Sequence, residues 1–452
     1  MNIIVNGCGK IGKTILASLV AEGHDVVAID NNPQVINEIT NIYDVMCVCG
    51  NGTDSDILLE AGATNAELMI SMTGSDELNM LSCYLAKKLG AQYTIARIRN
   101  PEYNDKSLGF MREQLDLSLT LNPELLASVE LYNILKLPSA AKVETFSARK
   151  FEMVEIKLKP DSPLDGIKIM DLRNKFKAKF LISAVGRGEE AYIPDGNFTL
   201  KSGDRICISA ISTEIIHFLK ELGTQQSPAK KIMILGGGKL AFYLAKKLCE
   251  GSNSVTIIEK NHQVCERLCE VLPKATIVNA DGTDQEVLLE EGLLSVDAVV
   301  SLTGMDEQNI LMSAFAQMKG VPKVITKINR EALMPMAESW GLDTIISPKL
   351  TVSNVLVKYA RALENSQGSS VETLYKIMDD KVEVLEFTVK DDFEKCNITF
   401  KELSLKPNTL VAGIIRNRKT IIPTGDDMFM PKDKVIIFAA NQRINKLSDI
   451  LR

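Results

Sequence analysis

Histidine is scarce here, three in 452 residues, and the scarcity limits the chemistry on offer. A dehydrogenase needs a group that carries a proton beside its nicotinamide, most often histidine, or a tyrosine backed by lysine. His24 and His262 are expected in loops that flank strands, and His217 on the wet face of a late helix, so none is placed to act on a substrate. The sequence "YLAKK" does put Tyr-x-x-x-Lys at Tyr84 and at Tyr243. Both copies read as ordinary amphipathic helix. Long apolar runs are missing too: stretches such as "DAVVSLTG" fall well short of the roughly 18 to 20 residues that cross a bilayer. Positive charge is not in excess. With 52 basic against 58 acidic residues the net charge is -6, which argues against a nucleic-acid surface.

The nine cysteines have neither a zinc spacing nor a disulfide framework. Cys47 and Cys49 share an expected strand, and Cys265 and Cys269 a helix face, so they read as small core residues. Cys8 lies inside a glycine turn, where oxidation is the alternative to packing. What the chain does have is 45% hydrophobic and 24% charged residues, the balance of a water-soluble globular protein. It is too long for one ordinary core. It starts directly on a strand, with no basic segment ahead of an apolar one. The expectation is a cytoplasmic protein able to dock on a membrane protein.

The chain also has itself, twice. "IIVNGCGKIGKTILASLVAEGHDVVAID" from Ile3 is answered by "IMILGGGKLAFYLAKKLCEGSNSVTIIE" from Ile232. Gly7 and Gly236, Gly9 and Gly238, and Asp30 and Glu259 are each 229 residues apart. "GNGTDSDILLEAG" matches "ADGTDQEVLLEEG", and "SMTGSDELNM" matches "SLTGMDEQNI", now displaced by 230. "AYIPDGNFTLKSGDRICI" matches "TIIPTGDDMFMPKDKVII" back at 229. The repeat spans essentially the whole sequence and marks an internal duplication.

Within each half the texture changes once. Short β-branched runs ("NIIV", "DVVAID", "VMCVC", "LMISMT", "YTIARI") alternate with segments of helix length, which implies a parallel sheet with helices on both faces. A helix with proline in its first turn follows at "PELLASVELYNILKL". Beyond Pro138 the pattern turns to strands ("FEMVEIKL", "FLISAVGRG", "AYIP", "DRICISA") and ends in a helix at "STEIIHFLKELG". The fold class is therefore α/β: two Rossmann-like parallel-sheet modules, each followed by a small α+β module. The expected segments are 1–122, a crossover helix 123–138, a small module 139–222, a linker 223–230, a second Rossmann-like module 231–347, crossover helix and linker 348–369, and a second small module 370–452.

In "GCGKIG", Gly7 permits the tight turn out of the strand, Gly9 lets a pyrophosphate approach the backbone, and Gly12 lets the helix pack on the strand. The helix start offers free N–H groups to phosphates. Asp30 ends the next strand, where a carboxylate accepts from a ribose 2′-hydroxyl and repels the extra phosphate of NADP. The second copy, "GGGKLA", has Ala241 at the third glycine position and Glu259 as its acid. Two nucleotide clefts without acid–base machinery read as a sensor rather than an enzyme. The rival readings are an NAD-dependent oxidoreductase with unrecognised catalytic groups and a redox-sensing transcriptional regulator. No helix-turn-helix stretch supports the latter.

The combination of the tandem glycine turns and their acids with "TGSDELN", "ARIRNPEY" and "IPDGNFTLKSGD" resembles the RCK (regulator of potassium conductance) family, specifically its tandem members, the peripheral subunits of bacterial Trk potassium-uptake systems. The resemblance covers residues 1 to 452. It implies RCK N and C modules in each half and binding of NAD(H), with ATP or ADP in related proteins. It also implies a homo-oligomeric ring of such modules on a membrane-embedded Trk-type potassium transporter or channel, at the inner face of the cell membrane. Carried over by position, the first site comprises Gly7, Cys8, Gly9, Lys10, Ile11, Gly12, Asp30, Thr53, Asp54 and Thr73, with Arg97 and Arg99 near the phosphates or a module interface. The alternative for both arginines is pairing with acids across a subunit contact. The second site comprises Gly236, Gly237, Gly238, Lys239, Leu240, Glu259, Thr283, Asp284 and Thr303. There Lys327 and Asn329 stand where the first half has its arginines, so the second site lacks planar phosphate donors. In the small modules, Arg187 and Arg416 read as solvated hairpin charges or, by the resemblance, as part of an effector or cation site. No metal site is expected.

Overall fold

The computed structural model describes residues 1–101, 103, 105–137, 139–145, 151–223, 227–366, 371–378, 381–417 and 419–452. Pro138, residues 224–226 of the expected linker and residues 367–370 of the joint in the second half lie outside these. The first α/β module runs β1 (Asn2–Asn6), α1 (Lys10–Ala21), β2 (Asp25–Asp30), α2 (Pro33–Ile42), β3 (Met46–Cys49), α3 (Ser55–Glu60), β4 (Leu68–Ser71), α4 (Asp76–Leu89), β5 (Tyr93–Arg97), α5 (Asp105–Gln114) and β6 (Leu119–Leu121). Its strands form a parallel sheet in the order β3-β2-β1-β4-β5-β6. Every residue of β4 is buried, as expected of a central strand covered by helices on both faces.

Helix α6 (Pro123–Lys136) leads into β7 (Lys142–Thr145), β8 (Glu152–Lys157), α7 (Ile169–Lys175), β9 (Leu181–Arg187), β10 (Glu190–Tyr192), β11 (Arg205–Ala210) and α8 (Ser212–Glu221). The sheet is antiparallel, β10-β9-β11-β8-β7. Sequence pattern missed α7, only seven residues long, and the edge strands β6 and β7, each too short to show a period.

The second half repeats the plan. It comprises β12 (Lys231–Leu235), α9 (Lys239–Cys249), β13 (Ser254–Glu259), α10 (His262–Val271), β14 (Thr276–Asn279), α11 (Gln285–Glu290), β15 (Ala298–Ser301), α12 (Asp306–Met318), β16 (Lys323–Lys327), α13 (Met334–Ser339) and β17 (Ile345–Ile346). Helix α14 (Pro348–Ser366) precedes β18 (Val371–Ile377), β19 (Val382–Thr388), β20 (Thr409–Arg416), β21 (Lys419–Ile421) and β22 (Lys434–Ala440). The sheet orders, β14-β13-β12-β15-β16-β17 and β18-β19-β22-β20-β21, are those of the first half. Among the described residues, the last small module replaces α8 with a single 3-10 turn, Leu447–Ile450.

Compactness does not follow the repeat boundary. Residues 1–128 cluster with 347–360, and residues 129–346 with 361–452. In the first unit, Tyr359 of α14 hydrogen-bonds Ser118 beside the first sheet, and burial raises its pKa. In the second unit, the carbonyl of Leu135 at the end of α6 accepts from Ala229 at 3.0 Å. The two small sheets there share one core: Phe151, Met153, Ala184 and Cys207 pack with Val382, Val384, Ala412, Ile436 and Phe438. Gly413 is required at this contact, since a Cβ would lie 2.9 Å from the Phe151 ring. The other face of the first small sheet is closed by α7 and α8 through Leu172, Phe218 and Leu219.

Candidate functional site

Each parallel sheet reverses strand order between its first and fourth strands, the place where open α/β sheets bind ligands at their carboxyl ends. The glycine turns sit there. Gly7 has φ +88°, and a Cβ on it would lie 2.6 Å from the backbone N of Thr73, so the turn after β1 is pressed onto the loop after β4. A Cβ on Gly12 would lie 2.1 Å from the carbonyl oxygen of Gly7, which seats α1 against the turn. Gly9 differs: nothing lies within 4 Å of its Cβ position, and the same holds for Gly238. Gly9 and Gly238, the second glycine of each G-x-G, face open space, as a ligand phosphate requires. Helices α2, α3 and α4 are capped by the side chains of Asn32, Asp54 and Ser75, whereas α1 starts at Gly9 with no side-chain cap, and α9 starts at Gly238 in the same way. Their first N–H groups remain for an anion.

The acids brace these turns. Asp30 accepts from the backbone N–H of Cys8 at 2.7 Å and of Asn32 at 2.9 Å. Glu259 does the same with Gly237 at 2.7 Å and Asn261 at 2.8 Å. Each acid thus reaches the turn it was paired with in the sequence. Cys8 is fully buried, and desolvation, aided by the Asp30 charge, pushes its thiol up to about 12. Packing is the role the structure gives it. Lys10 and Ile11, with Lys239 and Leu240, form the first residues of α1 and α9.

The threonines and acids of the third loops have local employment. Thr53 donates through its N–H and hydroxyl to Asn51 at 3.1 and 3.0 Å, and Asp54 caps α3 by accepting from Asp56 N–H at 2.9 Å. Thr283 and Asp284 repeat both arrangements with Asp281 and Glu286. Thr73 is held by Asn79, whose Oδ1 accepts its N–H and its hydroxyl at 2.7 Å each, while Nδ2 donates to the Arg97 carbonyl at 3.0 Å. Asn309 treats Thr303 and Lys327 likewise. These two asparagines, both fully buried, tie the ends of the fourth and fifth strands and were missed from sequence. The available signal was a polar residue six places after a threonine, on the inner face of a helix, in both halves. In the first half Asn6 extends the network to Ser71 and Ser82, where the second half has Leu235.

The arginines separate. Arg97 is buried, donates to the Thr73 carbonyl, and among the described residues its Nε has no partner; burial and then the neighbouring Arg99 charge lower its pKa. Arg99 pairs with Glu124 at the start of α6, Nε to Oε1 at 2.9 Å. The acid that Arg99 meets lies in the same chain, whereas the alternative read from sequence placed it across a subunit contact. In the second half Lys327 donates to the Leu302 carbonyl at 3.1 Å and Asn329 to Asp306 at 3.2 Å. Arg330, one place farther on, takes Asp306 and Glu307. Burial alone would raise the pKa of Asp306, but N–H donors from Arg330 and Asn329 hold it below the usual range.

The lysines of the two Tyr-x-x-x-Lys pairs stack on aromatic rings. Lys88 stacks over the Tyr84 ring at 5.4 Å, and Lys247 over the ring of Tyr132 at 5.0 Å. His262 opens α10 rather than lying in a loop, 3.2 Å from Asn279. Arg187 and Arg416 are paired with acids rather than simply solvated. Each makes a bidentate pair, with Asp204 at 2.8 Å through both nitrogens and with Asp433 at 2.9 and 2.7 Å, and each also donates to a carbonyl, of Thr199 or Met428. They lock the hairpins. Among the described residues no group of three or more His, Cys, Asp or Glu could hold a metal ion.

Family models agree with this double architecture. The TrkA-N domain matches residues 3–110 and 232–348, and the TrkA-C domain residues 153–223 and 384–452. The chain belongs to the TrkA family. It is 31% identical to the Trk system potassium uptake protein TrkA homolog of Archaeoglobus fulgidus over 100% of both chains. Against Trk system potassium uptake protein TrkA of Vibrio alginolyticus it is 30% identical over 98% of this chain and 96% of that one. Among solved structures, the GsuK channel bound to NAD matches 97% of this chain and 76% of its own, with TM-score 0.63 at 16% identity. GsuK bound to ADP matches 81% of this chain and 70% of its own, with TM-score 0.51 at 14% identity. At such identities the likeness to GsuK establishes a shared fold. The TrkA-N matches in both halves contain the glycine turns and their acids; the TrkA-C matches contain the Arg187 and Arg416 hairpins.

Proposed function

We propose that this chain is the regulatory subunit of a membrane-embedded Trk-type potassium transporter or channel, that it binds NAD(H) or an adenine nucleotide in its glycine-turn clefts, and that ligand-dependent changes in a ring of its modules gate potassium uptake. The observation that carries the reading is the pairing, in both halves of a TrkA-family chain, of an open second glycine in the G-x-G, a helix start without a side-chain cap and an acid fastened to the turn. The site residues are those expected from sequence, with Thr53, Asp54, Thr283 and Asp284 shaping the rim and Arg97 supplying buried positive charge behind Thr73. The chain works at the cytoplasmic face of the membrane and its partner provides the pore, a reading supported by relatives named as Trk system potassium uptake proteins. The role is regulatory rather than enzymatic, in keeping with relatives named as Trk uptake proteins and with lysines that stack on the rings of Tyr84 and Tyr132.

A nucleotide shifts a ring between shapes only by the difference in its affinity for them. A coupling of about 1–3 kcal/mol suffices for a 5- to 150-fold change in gating. The test is titration of the full chain with NADH, NAD+, ATP and ADP by calorimetry, followed by potassium flux through vesicles carrying a co-purified Trk-type membrane subunit. Micromolar binding without turnover and a nucleotide-dependent flux are expected. Steady NADH oxidation with a small carbonyl substrate would establish the oxidoreductase reading instead.

A further inference from the structure

We infer that the buried ammonium of Lys323 makes the joint between the second parallel sheet and the start of the first small module sensitive to proton concentration, closing it more firmly as the solution turns alkaline. Lys323 is the first residue of β16 and is 7% exposed. Its Nζ donates to the carbonyl of Ala140, in the connection between α6 and β7, at 2.7 Å, and to Thr344 Oγ1 at 2.7 Å. Both acceptors are neutral. The charged groups on the elements packed around it are otherwise engaged: Asp343 with Lys157 of β8 at 2.9 Å, Asp297 with the N–H groups of Lys230 and Lys231 at 2.8 Å, Glu155 with Arg205 at 3.8 Å, and Lys142 directed to the Lys376 carbonyl at 3.5 Å. Among the described residues, the joint therefore closes over a cation without a counter-ion in contact. The first half has neutral Tyr93 at the matching start of β5, so the device belongs to one half only.

The sign follows from desolvation. Burial lowers the Lys323 pKa from 10.5 to about 8, the Asp343 charge opposing only in part. When the joint opens and the ammonium is rehydrated, the ordinary value returns. The closed joint therefore binds fewer protons than the open one between about pH 8 and 10.5, and each unit of pH in that window favours closure by up to about tenfold. Below about pH 8 the closed joint carries the whole desolvation cost. This inference stands whatever the clefts bind.

Hydrogen exchange of the full chain between pH 7 and 10, corrected for intrinsic rates, tests it. Protection of the peptide spanning residues 139–145 is expected to rise several-fold per unit above pH 8 in the wild type. It should be flat with pH in Lys323→Met, which has no charge, and in Lys323→Arg, which keeps one. A flat wild-type profile, or the same slope in Lys323→Met, overturns the inference. Should a variant misfold, a carbon-13 titration of the Lys323 side chain in the wild type decides: a midpoint near pH 8 supports the inference, and one at 10.5 or above sinks it.

Discussion

The backbone N–H of Gly237 donates to the Glu259 carboxylate at 2.7 Å, and the stem of that same glutamate occupies the space in which a side chain on residue 237 would begin. A Cβ there would meet Leu268 Cδ1 at 2.8 Å, Glu259 Cγ at 3.0 Å and Glu259 Cβ at 3.1 Å. The first half solves the problem the other way: Cys8 has a buried side chain and the acid is the shorter Asp30, held by the same kind of bond at 2.7 Å. The second turn lacks the CH2–SH of Cys8, and its acid is longer by one methylene. Gly237→Ala alone should cost about 1–3 kcal/mol by overpacking, and adding Glu259→Asp should recover at least half of it. A double-mutant cycle in urea reads the coupling; strictly additive costs would refute it.

Gly7 and Gly9 should fail differently. Gly7→Ala drives a Cβ into the Thr73 backbone at positive φ, so both stability and nucleotide affinity should fall. Gly9→Ala places its methyl in open space, so unfolding should shift by no more than about 0.5 kcal/mol while affinity drops tenfold or more. Calorimetric binding beside a urea melt separates the two. A Gly9→Ala protein that binds normally would mean that the open space is not the ligand's.

Asp30→Ala removes a charged acceptor from two N–H groups and, on the proposed function, from the ribose of the nucleotide. Charge-assisted bonds contribute about 1.5–3 kcal/mol, so binding in the first cleft should weaken by about 10- to 100-fold, with the second cleft unaffected. Unchanged NADH affinity would leave Asp30 with the bracing role alone.

With its thiol pushed up to about 12, Cys8 has almost no thiolate at pH 8 and should resist maleimide until the chain unfolds. Exposed Cys49 and Cys269 should label within minutes, as peptide mass spectrometry would show. Rapid labelling of Cys8 in the folded chain would contradict its burial.

Arg361, near the end of α14, makes two bonds to Glu383 of β19, at 3.1 and 2.7 Å, and both residues are buried. Removing one partner by Arg361→Met should cost about 3–5 kcal/mol by stranding a charge. Arg361→Met with Glu383→Leu should return close to wild-type stability in thermal melts.

How much of this was legible beforehand depended on range. The strand–helix alternation and the place of each acid beside its glycine turn were legible because each is a short-range pattern and the duplication displays it twice. The sequence left Arg99 open between a phosphate and an acid, and Arg187 and Arg416 between solvent and an effector, because an arginine looks the same in sequence whether it faces solvent, a ligand or a carboxylate. Only the approach of Glu124, Asp204 or Asp433 settles it. Asn79 and Asn309 were passed over because a helical asparagine signals burial only once the strands it ties are in place.

The sequence by itself determined that this protein is a doubled α/β and α+β chain with two glycine-turn clefts, since backbone sterics and hydrophobic period act locally and need no partner. Tertiary structure alone decided that residues 347–360 join the first sheet, that the two small sheets fuse into one core across Phe151 and Gly413, and that Lys323 is shut away from water at a joint between modules. Those outcomes depend on which surfaces meet when the chain closes on itself, and the burial of apolar area and the desolvation of charge are settled only there.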